Sequence, residues 1–242
     1  MSILKETVTI MNEKLEWYPS IHKAMAEAQW TGKPVFLFFC SDACFYCNQM
    51  DMVVYKQKAL SDLIRNEFLA VRIGTDTPDV FRAYRVNNVP AFIIAGTDGF
   101  EYERYSGFID ANGLAAFCLL ALGKSYHDRN ETDAAQQYME KLISTYPQSL
   151  YAPEGLFLHG LYRYMTSQNP MDLKKSFLKI AKIYPDSIWV RRSLVLYFHP
   201  SAVKDWEDYR KRRLDYWESK DAFLKAYATY YNGPSRHQLK DL

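Results

Sequence analysis

Three cysteines, Cys40, Cys44 and Cys47, stand close together in this chain of 242 residues, and the last two enclose only Phe45 and Tyr46. Two thiols at that spacing can do what one cannot. The first attacks a disulfide as its thiolate; the second, one helical turn further on, attacks the mixed disulfide that results and releases the product. The first sulfur belongs at a helix start, where backbone N–H groups and the helix dipole stabilise negative charge. The flanking sequence supplies that setting: the strand-forming run Val35–Phe39 leads into the cysteines, and helix-compatible residues follow. Four cysteines in all, three of them clustered, make no disulfide framework, and in reducing surroundings such a cluster points to redox or metal chemistry.

Several elements must position the pair. Val35–Phe39 is apolar throughout, as a central strand covered on both faces requires. Ahead of it, weak alternation predicts a strand over residues 6–17. Residues 20–29 carry Ile21, Ala24, Met25 and Ala28 at helical spacing until Gly32, Lys33 and Pro34 break the helix. After the cysteines the pattern predicts a helix over 48–66, interrupted near 56–59, and a strand over 68–73. A short helix opened by Pro78 then runs to Tyr84, and Ala91–Ala95 forms a further strand. Thr97, Asp98 and Gly99 give a hairpin turn into a returning strand over 101–105, ended by Gly107. Asp110 caps a last helix through Leu122, with Leu114, Phe117, Cys118 and Ala121 on one face.

Beyond Lys124 the pattern is helical only. Segments 134–146 and 173–184 each end in Tyr-Pro followed by a serine, Tyr146-Pro147-Gln148-Ser149 and Tyr184-Pro185-Asp186-Ser187, and each is followed by another apolar helix, 154–165 and 188–198. Units of this length stack on their neighbours because none buries its faces alone. Segments 203–217 and 221–231 would supply a third, degenerate pair. The expected division is a first domain of residues 1–124 and a helical-repeat domain of residues 125–242.

Charge narrows the partners. With 30 basic and 28 acidic residues the net charge is +2, which gives no electrostatic reason to expect nucleic acid or a membrane surface as partner. No apolar stretch has the length to span a bilayer, and the first residues lack the apolar core of a secretion signal; a soluble, cytoplasmic protein is expected. The histidines, His22, His127, His159, His199 and His237, are scattered and form no triad. The basic run from Arg210 to Arg213 reads as a solvated helix face, with an acidic docking partner as the alternative. Cys40 and Cys118 read as small core residues.

Cys44-Phe45-Tyr46-Cys47 after a buried strand, with Val89-Pro90-Ala91 opening a later one, resembles the thioredoxin family. Over about the first half of the chain the resemblance implies an α/β thioredoxin fold, a mixed central sheet flanked by helices. It also implies a redox-active dithiol with Cys44 as nucleophile, Cys47 as resolving thiol, Pro90 as a cis-proline facing them and Val89 as the backbone contact to substrate. Phe45 and Tyr46 would make an apolar lip suited to a protein or peptide. The sequence departs from a housekeeping thioredoxin at three places: the family's buried acid falls at Phe38, its tryptophan before the motif at Ala43, and its Gly-Pro at Phe45-Tyr46. The second half resembles tetratricopeptide-type repeats through Ala134, Ala135, Tyr138 and the Tyr-Pro ends.

The resemblances together imply a thiol–disulfide oxidoreductase working on a protein or peptide disulfide, in the reducing direction, with an unidentified reductant and no metal or other cofactor. Other readings stand beside it. The same fold can serve as a binding module, with the repeats recruiting a protein and the dithiol idle. Cys40, Cys44 and Cys47 also resemble the three-cysteine signature of radical S-adenosylmethionine enzymes, although the second half lacks the strand–helix repeats those enzymes need. A zinc site would need a histidine at ligand spacing, and none is near.

Overall fold

The computed structural model describes residues 15–194. Helix α1, Ile21–Thr31, begins at Ser20, whose side chain accepts the Lys23 amide, and stops at Gly32, which turns left-handed and closes its N–H onto the Ala28 carbonyl. Strand β1, Val35–Phe39, pairs parallel with β2, Leu69–Ile73, and antiparallel with β3, Ala91–Ala95, which pairs antiparallel with β4, Glu101–Ser106. The strand order β2-β1-β3-β4 puts β1 and β3 inside a four-stranded mixed sheet, and every residue of both is buried.

The two-residue period of β1 sorts its side chains between two layers. Val35, Leu37 and Phe39 join Leu69, Val71, Ile73 and Ile93 in a core covered by Ala24 and Ala28 of α1. Phe36 and Phe38 face the other side, where Phe92 meets them at ring separations of 6.1 and 5.3 Å.

The connections differ from expectation in three places. Of the strand predicted over 6–17, most lies outside the described residues; Leu15, Glu16 and Trp17 form no strand, and Tyr18 alone makes a parallel bridge to Val71. Pro19 has no N–H to continue the ladder, and Ser20 already caps α1. The helix predicted over 48–66 with an interruption near 56–59 is interrupted there, but it begins earlier and contains a π-helical turn: α2, Phe45–Gln49; the π-helical turn, Met50–Val54; and α3, Lys58–Glu67. Its break lies at residues 55–57, where the Tyr55 amide closes the wide turn onto the Met50 carbonyl and Gln57 is extended. Helix α4, Pro78–Ala83, carries its proline in the first turn.

The third difference is α5, Ala111–Asp128, which continues past the predicted end at Leu122. Gly123 acts there as a packing residue: a Cβ would run into Met139 and come within 3.3 Å of the Ala135 carbonyl. The chain divides into two compact units, Met1–Cys118 and Leu119–Leu242, so the division falls inside α5.

In the second unit the described helices are α6, Thr132–Thr145; α7, Ala152–Ser167; α8, Pro170–Ile183; and α9, Ile188–Arg192. Leu156, Phe177, Ile180, Ala181 and Val190 form a core between them. The two Tyr-Pro tyrosines play the same part: Tyr146 and Tyr184 each end a helix, with N–H donated to Leu142 and Ile180. The Tyr184 hydroxyl also donates to the Pro147 carbonyl at 2.9 Å, linking one Tyr-Pro turn to the other. Residues 195–198 of the segment predicted over 188–198, the helices predicted over 203–217 and 221–231, the basic run Arg210 to Arg213, His199 and His237 lie outside the described residues. Among the described residues, no helix is long and apolar enough to cross a membrane.

Candidate active site

Cys44 is the N-cap of α2. Its sulfur takes the place a serine or aspartate oxygen usually fills: the Cys47 amide donates to Cys44 Sγ at 3.1 Å. On the other side the Cys44 thiol donates toward the Val89 carbonyl at 3.7 Å, and the Val89–Pro90 peptide is cis. Thus Cys44, Cys47, Val89 and Pro90, from two loops and one helix start, meet at one point. Cys44 is half-buried and open to a reactant, whereas Cys47 is fully buried.

Burial dominates the electrostatics of the other thiols. It pushes Cys47 up to about 12, with the hydrogen bond to Cys44 adding to the rise and the Ser41 backbone opposing it. Cys40, at the end of β1, is pushed up to about 11 by burial, against which the Arg72 guanidinium pulls down. Its thiol donates to the Ile73 carbonyl at 3.7 Å. Cys118 on α5 is completely buried, which raises it further.

Phe38, on the strand that leads to the pair, is packed among rings: Trp17 at 5.8 Å, Tyr55 edge-on at 5.4 Å and Phe92 at 5.3 Å. Arg72, its cross-strand partner on β2, holds its guanidinium 5.4 Å from the Phe38 ring and bonds both Asp51 carboxylate oxygens at 2.7 Å. That ion pair ties the π-helical turn after Cys47 to the sheet. Chain positions that follow Cys47 in sequence are thereby fixed against β2.

Phe45 and Tyr46 are exposed, and their rings meet edge to face at 5.6 Å. Tyr46 also lies 5.8 Å from the ring of Phe108, a residue the sequence did not single out. Gly107 brings Phe108 there: at φ +114° it takes a turn that a side chain disfavours, and its N–H donates to the Pro90 carbonyl at 2.8 Å. The Tyr105 hydroxyl holds the Phe108 carbonyl at 3.1 Å. The available signal was Gly107 directly before an aromatic residue, but nothing in the chain order brings positions 46 and 108 together. Of the described histidines, His22 lies on α1, His127 stacks on Tyr162 at 4.3 Å, and His159 lies 3.2 Å from Glu140. No group of histidine, cysteine and carboxylate side chains suited to a metal ion is found among the described residues.

A buried mixed sheet with a helix-capping cysteine, a second cysteine one turn on and a cis-proline loop against them defines a thioredoxin-fold dithiol domain. Residues 21–120 match the family model of the thioredoxin-like domain, and residues 117–149 match that of a tetratricopeptide repeat. The chain belongs to the thioredoxin-like family, with a tetratricopeptide repeat following. The repeat match joins the end of α5 to α6, so the unit begins one helix earlier than the Tyr-Pro spacing alone suggests.

Among solved structures the chain is similar to a thioredoxin from Thermus thermophilus, at 31% identity over 41% of this chain and 80% of that one, with a TM-score of 0.37. It is also similar to the oxidoreductase DsbH, at 18% identity over 44% and 82% of the two chains with a TM-score of 0.38. The C-terminal domain of DsbD from Neisseria meningitidis, in its oxidised form, matches at 20% identity over 38% and 84%, with a TM-score of 0.35. No curated protein matches the chain.

Proposed function

We propose that the protein is a thiol–disulfide oxidoreductase acting on disulfides of protein or peptide substrates, with Cys44 as nucleophile and Cys47 as resolving thiol. One observation carries this most directly: the half-buried Cys44 sulfur caps α2, faces the Val89 carbonyl beside Pro90, and is followed one turn later by a buried second thiol. The Cys47 amide, aimed at Cys44 Sγ, is placed to hold the negative charge that sulfur carries as attacking and leaving group. Val89 offers backbone to an extended substrate segment, and Phe45 and Tyr46 offer apolar surface.

The cycle balances within the dithiol. Cys44 thiolate attacks the substrate disulfide, forming a mixed disulfide and expelling one substrate thiolate. Cys47, deprotonated, attacks Cys44 and expels the second, leaving the protein oxidised by two electrons. In a reducing, cytoplasmic setting the working direction is reduction, and an external reductant restores the dithiol. In a catalytic insulin-type reduction assay with an excess of a chemical reductant, Cys44→Ser is expected to fall to the uncatalysed rate; activity equal to the unaltered protein would remove Cys44 from the reaction.

A second reading has its own support. Phe38, packed among rings, stands where the resemblance implies an acid to assist the buried Cys47, and burial pushes that thiol up to about 12. A thioredoxin fold with slow turnover would serve as a binding module, with the tetratricopeptide repeat recruiting a protein. That reading predicts reduction no faster than a free dithiol of equal concentration, with Cys44→Ser without effect on partner binding.

A further inference from the structure

The Cys44 thiol sits on a closed circuit of contacts. It faces the Val89 carbonyl at 3.7 Å; Val89 is bonded to Pro90, whose carbonyl accepts the Gly107 amide at 2.8 Å. Gly107 leads to Phe108, the Phe108 ring meets Tyr46 at 5.8 Å, Tyr46 meets Phe45 at 5.6 Å, and Phe45 follows Cys44. One arc of the circuit is backbone. The other is three rings, with Phe45 68% exposed, Tyr46 54% and Phe108 41%. The π-helical turn that follows carries two further exposed apolar residues, Met52, 59% exposed, and Val53, 51%.

A sulfur that bonds Cys44 Sγ arrives beside the Val89 carbonyl on one arc and Phe45 on the other, so the segment that reacts is also the segment nearest the rings. That fixes the occupant as the disulfide-bearing segment itself. We propose that the aromatic arc selects polypeptide disulfides whose cysteine is flanked by apolar side chains, the flanking chain covering Phe45, Tyr46 and Phe108 while its backbone lies along Val89. The inference rests on the dithiol acting as proposed above and adds the class of substrate. Covering part of three open rings removes apolar area from water, whereas a glycine or serine flank leaves that area wet and a charged flank is itself desolvated. Phe108 is a specificity-determining residue on this account, held in place by Gly107 and the Tyr105 hydroxyl.

Two peptide disulfide dimers test this, identical except that the cysteine is flanked by Phe and Leu in one and by Gly and Ser in the other. The reduced full-length protein is mixed with each in a single turnover, and the second-order rate constant for release of the peptide thiol is measured. The expected ratio is about tenfold or more in favour of the apolar peptide, the factor that about 1.4 kcal/mol of added burial gives. Phe108→Ser should bring the ratio towards one, and Phe108→Leu, which keeps an apolar surface, should retain most of it. Equal rates for the two peptides in the unaltered protein, or an unchanged ratio in Phe108→Ser, overturn the inference while leaving the dithiol chemistry standing. No reaction with either peptide overturns the dithiol reading and this one with it.

Discussion

Cys47 carries the consequence of the missing acid. Its thiol is fully buried and pushed up to about 12, and only the thiolate can attack the mixed disulfide. Burial, the largest cause of the rise, persists when Cys44 is held in a mixed disulfide, so resolution of a preformed mixed disulfide at Cys44 should accelerate as the pH rises from 7 towards 10. Stopped-flow measurement on the isolated mixed disulfide checks it, and a plateau below pH 9 would mean that another group takes the proton. The sequence already pointed to Phe38 at the acid's position. It could not tell what filled the space: a stack of Trp17, Tyr55 and Phe92 beneath an Arg72–Asp51 ion pair, whose members come from positions far apart in the chain. That Cys44, Cys47, Val89 and Pro90 would meet was legible because local motifs carry them, whereas Phe108 reaches Tyr46 through tertiary contacts, the Gly107–Pro90 hydrogen bond and the Tyr105 hydroxyl.

At the scale of elements, β1 and β3 were readable from unbroken apolar runs, which only a strand buried on both faces tolerates. Helix ends were less so. Gly123 looks like a stop signal, yet the closeness of Met139 makes it a contact residue inside α5, and that information lies on another helix. Gly160 on α7 is the same kind of residue: a Cβ there would overlap Ser176 of α8, whose hydroxyl donates to the Leu156 carbonyl at 2.6 Å. Gly160→Ala gains helix propensity but forces the two helices apart, a net loss of about 1–3 kcal/mol. Urea unfolding followed by far-ultraviolet circular dichroism is expected to register it, with partial recovery when Ser176→Gly is added. A stability equal to or above that of the unaltered protein would show that α7 and α8 approach less closely than the contact implies.

For the molecule as a whole, α5 is the element in which two family patterns run together. The thioredoxin-like match ends at residue 120 and the tetratricopeptide match begins at residue 117, within one uninterrupted helix. The change to helix-only sequence near Lys124 was visible in the pattern. The sharing of α5 was not, because the helical period continues unbroken through Lys124, whose ammonium pairs with Glu154 of α7 at 2.5 Å. That Cys44 attacks and Cys47 resolves can be tested by mixing reduced Cys47→Ser protein with a protein disulfide substrate and following covalent capture by non-reducing electrophoresis and mass spectrometry. A mixed disulfide through Cys44 should accumulate, release its partner on adding dithiothreitol, and be absent from the Cys44→Ser protein; capture through Cys40 or Cys118, or none at all, would contradict the claim.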